Sequence, residues 1–172
     1  MFAALAPVSF VVVPFAALLV ASRPTSRREW VVAGLAGAAA TALLAAPERG
    51  LFEGVARAWI VLVTVAFATI ARLRPARFWA LALRACVYGG AGIAVLAPAA
   101  AGATVWRQVQ WEATRDASRS MRFVVEIAPG LYPVFEPAVR IVAGSWPVWL
   151  VLATLAGLAL AWRGHAVVHG SS

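Results

Sequence analysis

Lysine is absent from this sequence, aspartate occurs once, as Asp116, and cysteine once, as Cys86. Each scarcity removes a class of function. Without lysine there is no Gly-x-x-x-x-Gly-Lys-Ser/Thr loop for nucleotide phosphates. A lone cysteine makes no intramolecular disulfide and gives a metal no cysteine pair. Inside an apolar run, Cys86 reads as a small hydrophobe. Ser/His/Asp catalysis has no support from a single aspartate, and no serine sits in a nucleophile-elbow context. Charge is scarce overall: 13% of residues are charged, about half the proportion usual in soluble domains. Disorder is excluded by the same bias, because disordered chains are polar and highly charged.

What fills the chain is hydrocarbon. It is 63% hydrophobic with a mean hydropathy of +0.84, concentrated in the runs Met1–Ala21, Trp30–Ala46, Val55–Ala71, Phe78–Thr104 and Pro147–Trp162. A bilayer core of roughly 30 Å needs about 20 apolar residues in a helix. The runs therefore predict an all-α, polytopic membrane bundle of about five transmembrane helices, in one integral domain covering residues 1–172. Met1–Ala21 has no basic residue before its apolar run and no small-x-small site at its end, so it is expected to persist as a helix rather than act as a cleaved signal. Pro7 and Pro14 are tolerable in such a helix because neighbouring helices satisfy the freed carbonyls.

The net charge of +8 comes from fifteen arginines. They do not form a basic arm or a clustered face, so nucleic acid is not an expected partner. They occupy the gaps between apolar runs, where topology signals and headgroup contacts reside. Arginines divide equally between the two sides. The Ser22–Glu29 and Arg72–Arg77 loops hold theirs close to span ends, which favours a cytoplasmic placement for them. That orientation puts the N-terminus outside and the C-terminus inside a bacterial inner membrane. Trp30, Trp59, Trp79, Trp106, Trp146, Trp149 and Trp162 fall near predicted span ends, as an interfacial aromatic belt would.

Val105–Trp146 differs from the rest, with four of the seven acids and five arginines. From Trp106 onward, Val109, Ala113, Ala117, Met121, Val124 and Val125 recur at spacings of three and four, opposite Arg115, Arg119, Arg122 and Glu126. This is the period of an amphipathic helix, expected to lie at the membrane surface. Pro129-Gly130 breaks it. A second piece, Tyr132–Gly144, places Glu136 and Arg140 at i,i+4.

No catalytic or metal-ligating set emerges, and no cofactor is implied. Arg84 lies two turns inside the fourth run, where a charge is costly. It either faces the bundle interior to hold an anion or an acid, or snorkels to the nearer interface. Arg57 lies nearer a span end, and Glu136 and Arg140 either line a cavity or pair at the surface. These four form the candidate ligand-binding set. Gly34 with Ala38, and Gly37 with Thr41, form small-xxx-small pairs that allow close helix approach. Gly89, Gly90 and Gly92 read the same way, since they lack the lysine, the serine or threonine and the preceding strand of a phosphate loop. The fourth run is long enough to require a tilt, a kink at Pro98 or a break. His165 and His169, at i,i+4, have no acid or cysteine nearby and read as a tail or interface pair rather than a metal site.

The alanine-rich spans, the Pro47-Glu48-Arg49-Gly50 turn, Leu131-Tyr132-Pro133 and the segment Trp149–Trp162 together resemble the YybS-like family. That resemblance implies a bacterial multi-pass inner-membrane protein of unknown function, distantly similar to substrate-binding components of vitamin-uptake transporters. Members of that family continue into further spans, whereas this chain stops at Gly170-Ser171-Ser172, so the resemblance implies a short relative or a truncated one. The family carries no ligand-binding residue over to this sequence.

Two classes of function follow. In one, the protein binds or transports a small molecule, with Arg84, the glycine cluster and the loop after Thr104 forming a pocket. In the other, it is a structural or accessory subunit whose small-residue faces pack against partner membrane subunits or a second copy. An enzyme is not expected. A buried polar cavity containing Arg84 would mark the first class, and a flat small-residue face open to lipid the second.

Overall fold

A computed structural model describes residues 6–47, 50–73, 77–127, 130 and 132–170. Among the described residues the protein is all-helical, with seven helices and no strand. They are α1 (Ala6–Ala21), α2 (Arg27–Ala45), α3 (Leu51–Leu73), α4 (Phe78–Ala101), α5 (Val105–Ile127), α6 (Tyr132–Gly144) and α7 (Trp146–Gly170). Four of them, α2, α3, α4 and α7, are long and apolar enough to cross a membrane. The 16 residues of α1 span about 24 Å at 1.5 Å per residue, short of a full bilayer core. The remainder of the expected first span, Met1 to Leu5, lies outside the described residues.

Local chemistry explains where the helices begin and end. A reciprocal capping box starts α2: the Glu29 N–H donates to Ser26 Oγ (3.2 Å), while the Glu29 carboxylate accepts from the N–H groups of Ser26 (3.4 Å) and Thr25 (2.7 Å). These bonds satisfy the orphan donors of the first turn and allow Glu29 to be only 2% exposed. The Ser22–Glu29 loop read from the sequence is thus partly helix, since α2 starts at Arg27. The long fourth run forms a single helix that continues through the glycine cluster and past Pro98. It stops at Gly102, whose φ of +85° suits a residue without Cβ and whose N–H donates to the Pro98 carbonyl (2.9 Å).

Helix direction follows from side-chain matches. Trp59 of α3 meets Thr154 of α7, and Phe67 meets Trp162. Gly157 and Gly164 of α7 face Phe10 and Phe15 of α1. α1, α3 and α7 therefore run the same way, while the short connections turn α2 and α4 back against α1 and α3. One end of the bundle gathers the α1–α2 connection, the end of α3, the start of α4 and the end of α7. The other end gathers α5 and α6.

Close approach depends on glycine at two seams. A Cβ on Gly89 would collide with Val63 Cγ2 and stand 3.2 Å from the Val63 backbone nitrogen, so α3 and α4 touch almost backbone to backbone. A Cβ on Gly157 would collide with the Phe10 carbonyl of α1. Around these seams Leu19, Val63, Leu81, Ala82, Ala85 and Leu158 are fully or almost fully buried.

Two sequence expectations change here. Trp59 is not an interfacial belt residue: it is 7% exposed, because α3 begins four residues before the predicted span and so places Trp59 two turns inside the helix. Trp30, Trp79 and Trp149 are exposed near helix ends, as a belt requires. α5 has the expected helical form, but its apolar stripe is divided. Val105, Val109 and Ala113 are buried, and α5 packs on α3 and α4, so its first half belongs to the core rather than to a surface segment.

Candidate functional site

Arg84 lies on an outward face of α4, exposed beside Leu83, Val87 and Tyr88. It does not face the bundle interior. Six residues from Phe78, its Cα lies about 9 Å along the axis from the helix start, within reach of an interface for a long arginine side chain.

Arg57 is turned inward at the opposite end, its side chain 14% exposed. One guanidinium nitrogen donates to the Leu44 carbonyl (3.1 Å) and, at closer range, to the Ala46 carbonyl; another meets Glu53 Oε1 at 2.6 Å. A cation on the last carbonyls of a helix satisfies orphan acceptors and opposes the negative end of its dipole. Arg57 therefore fastens the end of α2 to the start of α3. Arg140 is exposed on α6, and the Glu136 side chain lies outside the described residues. Antiparallel packing of α3 and α4 sets Gly89 against Val63, which places Arg84 about 16 Å from Arg57 along the bundle axis. These arginines do not converge.

The expected pocket of Arg84, the glycine cluster and the loop after Thr104 is not assembled either. Gly89, Gly90 and Gly92 face Val63, Trp59 and Leu62 of α3. A shallow depression of about 370 Å³ beyond the end of α4 is lined by Thr104, Arg107, Gln108 and Trp111. Arg84 lies about 25 Å away along α4, by helical rise. Gly34 and Gly37 have a different environment: a Cβ at either would meet nothing within 4 Å. His165 stacks on Trp162 with ring centroids 6.4 Å apart, and the His169 side chain is outside the described residues.

Sequence reasoning passed over the polar residues that connect the bundle. Glu112 of α5 reaches the start of α3, where its carboxylate accepts from the N–H groups of Leu51 (3.2 Å) and Phe52 (2.8 Å). It caps a helix 60 residues away in the chain. Gln110 ties α5 to α6 and α7, donating to the Ala143 carbonyl (3.1 Å) and accepting from Trp146 Nε1 (3.0 Å). Trp146 also meets Phe52 edge-on at 5.5 Å. No local pattern marks Glu112 or Gln110 for these roles. Gly157 did leave a signal, since Ala161 and Gly164 follow at four and seven residues, a helical stripe of small residues.

Deep between α3 and α7, Trp59 Nε1 donates to Thr154 Oγ1 at 2.8 Å, and that hydroxyl donates to the Leu150 carbonyl at 2.7 Å. Thr154→Val keeps the side-chain shape but strands a buried indole N–H, and is expected to cost about 2 kcal/mol. Thr154→Ser keeps the hydroxyl and should cost less. Thermal unfolding of both variants in detergent checks the order, and equal losses would contradict it.

A groove of about 700 Å³ lies between α1, α2 and α3. It is walled by alanine, valine and glycine, with Thr41 and Thr69 donating their hydroxyls to carbonyls on their own helices. Arg72 stands at one end and donates to the Ala21 carbonyl at 2.6 Å.

No protein-family model, curated protein or solved structure matches this chain. The arrangement defines a class only: a helical bundle with elements long and apolar enough to span a membrane.

Proposed function

We propose that this protein is an accessory subunit of a membrane assembly and that α2 is its docking element. The observation that carries this reading is the open small-residue row Gly34–Ala38, four residues apart on α2. Both positions are exposed, and a Cβ at Gly34 would meet nothing within 4 Å. α2 packs substantially on α1 alone and buries only Glu29, Ala33, Ala36 and Ala40. A helix so thinly attached, with Trp30, Val31 and Leu35 exposed beside the row, is suited to close approach by another membrane helix. The outward placement of Arg84 supports this reading over a small-molecule carrier, which would turn such a charge toward its path. A bacterial inner membrane, the N-terminus outside and kinship with the YybS-like family belong to the same proposal, supported by the arginine-bearing loops and the sequence resemblance.

Affinity purification in mild detergent tests it. A membrane partner, or a second copy, should be recovered with the wild type and lost with Gly34→Leu, while thermal stability of the isolated chain is unchanged. Equal recovery with both, or a wild type that remains monomeric and alone, would refute the reading.

A further inference from the structure

We infer that the groove between α1, α2 and α3 holds one anionic glycerophospholipid, with its phosphate at Arg72 and an acyl chain along the apolar wall. Three independent features point to this occupant. The first is size and lining: about 700 Å³ falls within the range of small-molecule sites. The wall is mainly apolar, and its two hydroxyls already donate to Gly37 and Val65 carbonyls. Away from Arg72, such a surface suits a chain of methylenes better than a polar solute.

The second is shape. On α1 the wall runs from Val13 to Ala21, about 12 Å by helical rise. It continues on the antiparallel α2 at Gly37 and Thr41. The groove is therefore elongated along the bundle axis, as an acyl chain lies in a leaflet.

The third is charge. Arg72 uses one guanidinium N–H on the Ala21 carbonyl, and an arginine has five. Its exposed head therefore retains donors for a phosphate. The described polar segments at this end (residues 21–29, 72–73, 77–79 and 163–170) carry six arginines and a single acid. That acid is Glu29, buried and committed to the α2 cap. Arg23, Arg27 and Arg28 are exposed in the stretch directly after Ala21. A basic recess between membrane helices at a headgroup level is where anionic lipids are recognised.

The site is separate from the proposed docking row. Gly37 and Thr41 border the groove, whereas Gly34 and Ala38 do not, although Gly34 lies on the same side of α2 as Thr41, seven residues on. Two substitutions therefore separate a lining residue from a non-lining one. Gly37→Leu is expected to narrow the groove, since Gly37 lines it and a Cβ there would meet nothing within 4 Å; Gly34→Leu changes no lining residue.

Native mass spectrometry of the delipidated full chain, titrated with dioleoyl phosphatidylglycerol or dioleoyl phosphatidylcholine, is the test. The wild type should take up one saturable phosphatidylglycerol, bound at least about fivefold tighter than phosphatidylcholine, the factor for one arginine near a headgroup. Arg72→Gln should abolish the preference and Arg72→Lys should largely retain it. Gly37→Leu should weaken both lipids, and Gly34→Leu neither. Equal affinity of the wild type for the two lipids would overturn the inference. So would wild-type binding in both Arg72→Gln and Gly37→Leu. A Gly37→Leu that instead dissociates a dimer with no change in lipid uptake would make the groove a helix interface. If Gly34→Leu removes a partner and lipid uptake persists, the lipid site and the docking row stand independently.

Discussion

Gly157→Ala is expected to destabilise the bundle by about 3 kcal/mol, the upper part of the range for overpacking a tight interior. The sign makes this prediction informative. In a helix, alanine is intrinsically better than glycine by about 1 kcal/mol, so propensity alone would make the variant more stable. Packing opposes that gain. The new Cβ would collide with the Phe10 carbonyl oxygen and lie 2.7 Å from its carbon. Backbone cannot rotate away as a side-chain tip can, so α1 must separate from α7. Gly34→Ala supplies the contrast: with nothing within 4 Å, it should be neutral or gain up to about 1 kcal/mol. Thermal unfolding in detergent, with a disulfide cross-link between α1 and α7 as a proximity reporter, distinguishes the two. A Gly157→Ala protein as stable as the wild type would show that the α1–α7 seam is looser than this geometry.

Removing the Glu112 carboxylate should have the next largest effect. In Glu112→Ala the N–H groups of Leu51 and Phe52 lose their charged acceptor, with an expected loss of about 2 kcal/mol. Fraying should concentrate at the start of α3, where amide hydrogen exchange at Leu51 and Phe52 should accelerate while the Val63 region remains protected. Glu112→Gln keeps one acceptor oxygen and loses the charge, so its loss should be intermediate. Unchanged exchange at Leu51 and Phe52 in the alanine variant would mean that α3 does not depend on this cap.

Much of the architecture was legible because the chemistry that produces it is local. Apolar runs long enough to span, broken by arginines, determine helices that cross a membrane, and the period of Val105–Val125 determines an amphipathic one. α6 runs over Tyr132–Gly144, the piece read from the sequence, while Pro129 lies outside the described residues. Boundaries were displaced where a distant residue intervenes: α3 begins at Leu51 rather than Val55, with Glu112 capping it from the far side of the chain. The same displacement moved Trp59 from an expected interface into the core.

The side of a helix that a residue occupies was less accessible. Gly34 and Gly89 carry the same small-residue signature, yet one faces open space and the other abuts Val63. Arg57 and Arg84 both sit in the early turns of apolar helices, yet one is drawn inward by the carbonyls ending α2 and the other is exposed. Composition and periodicity, acting within one or two turns, determined that this chain is a helical membrane bundle and where most of its helices lie. Which faces are buried, which glycines are contact points and where a groove remains were decided only by tertiary packing, because burial depends on neighbours that are remote in sequence and adjacent in space.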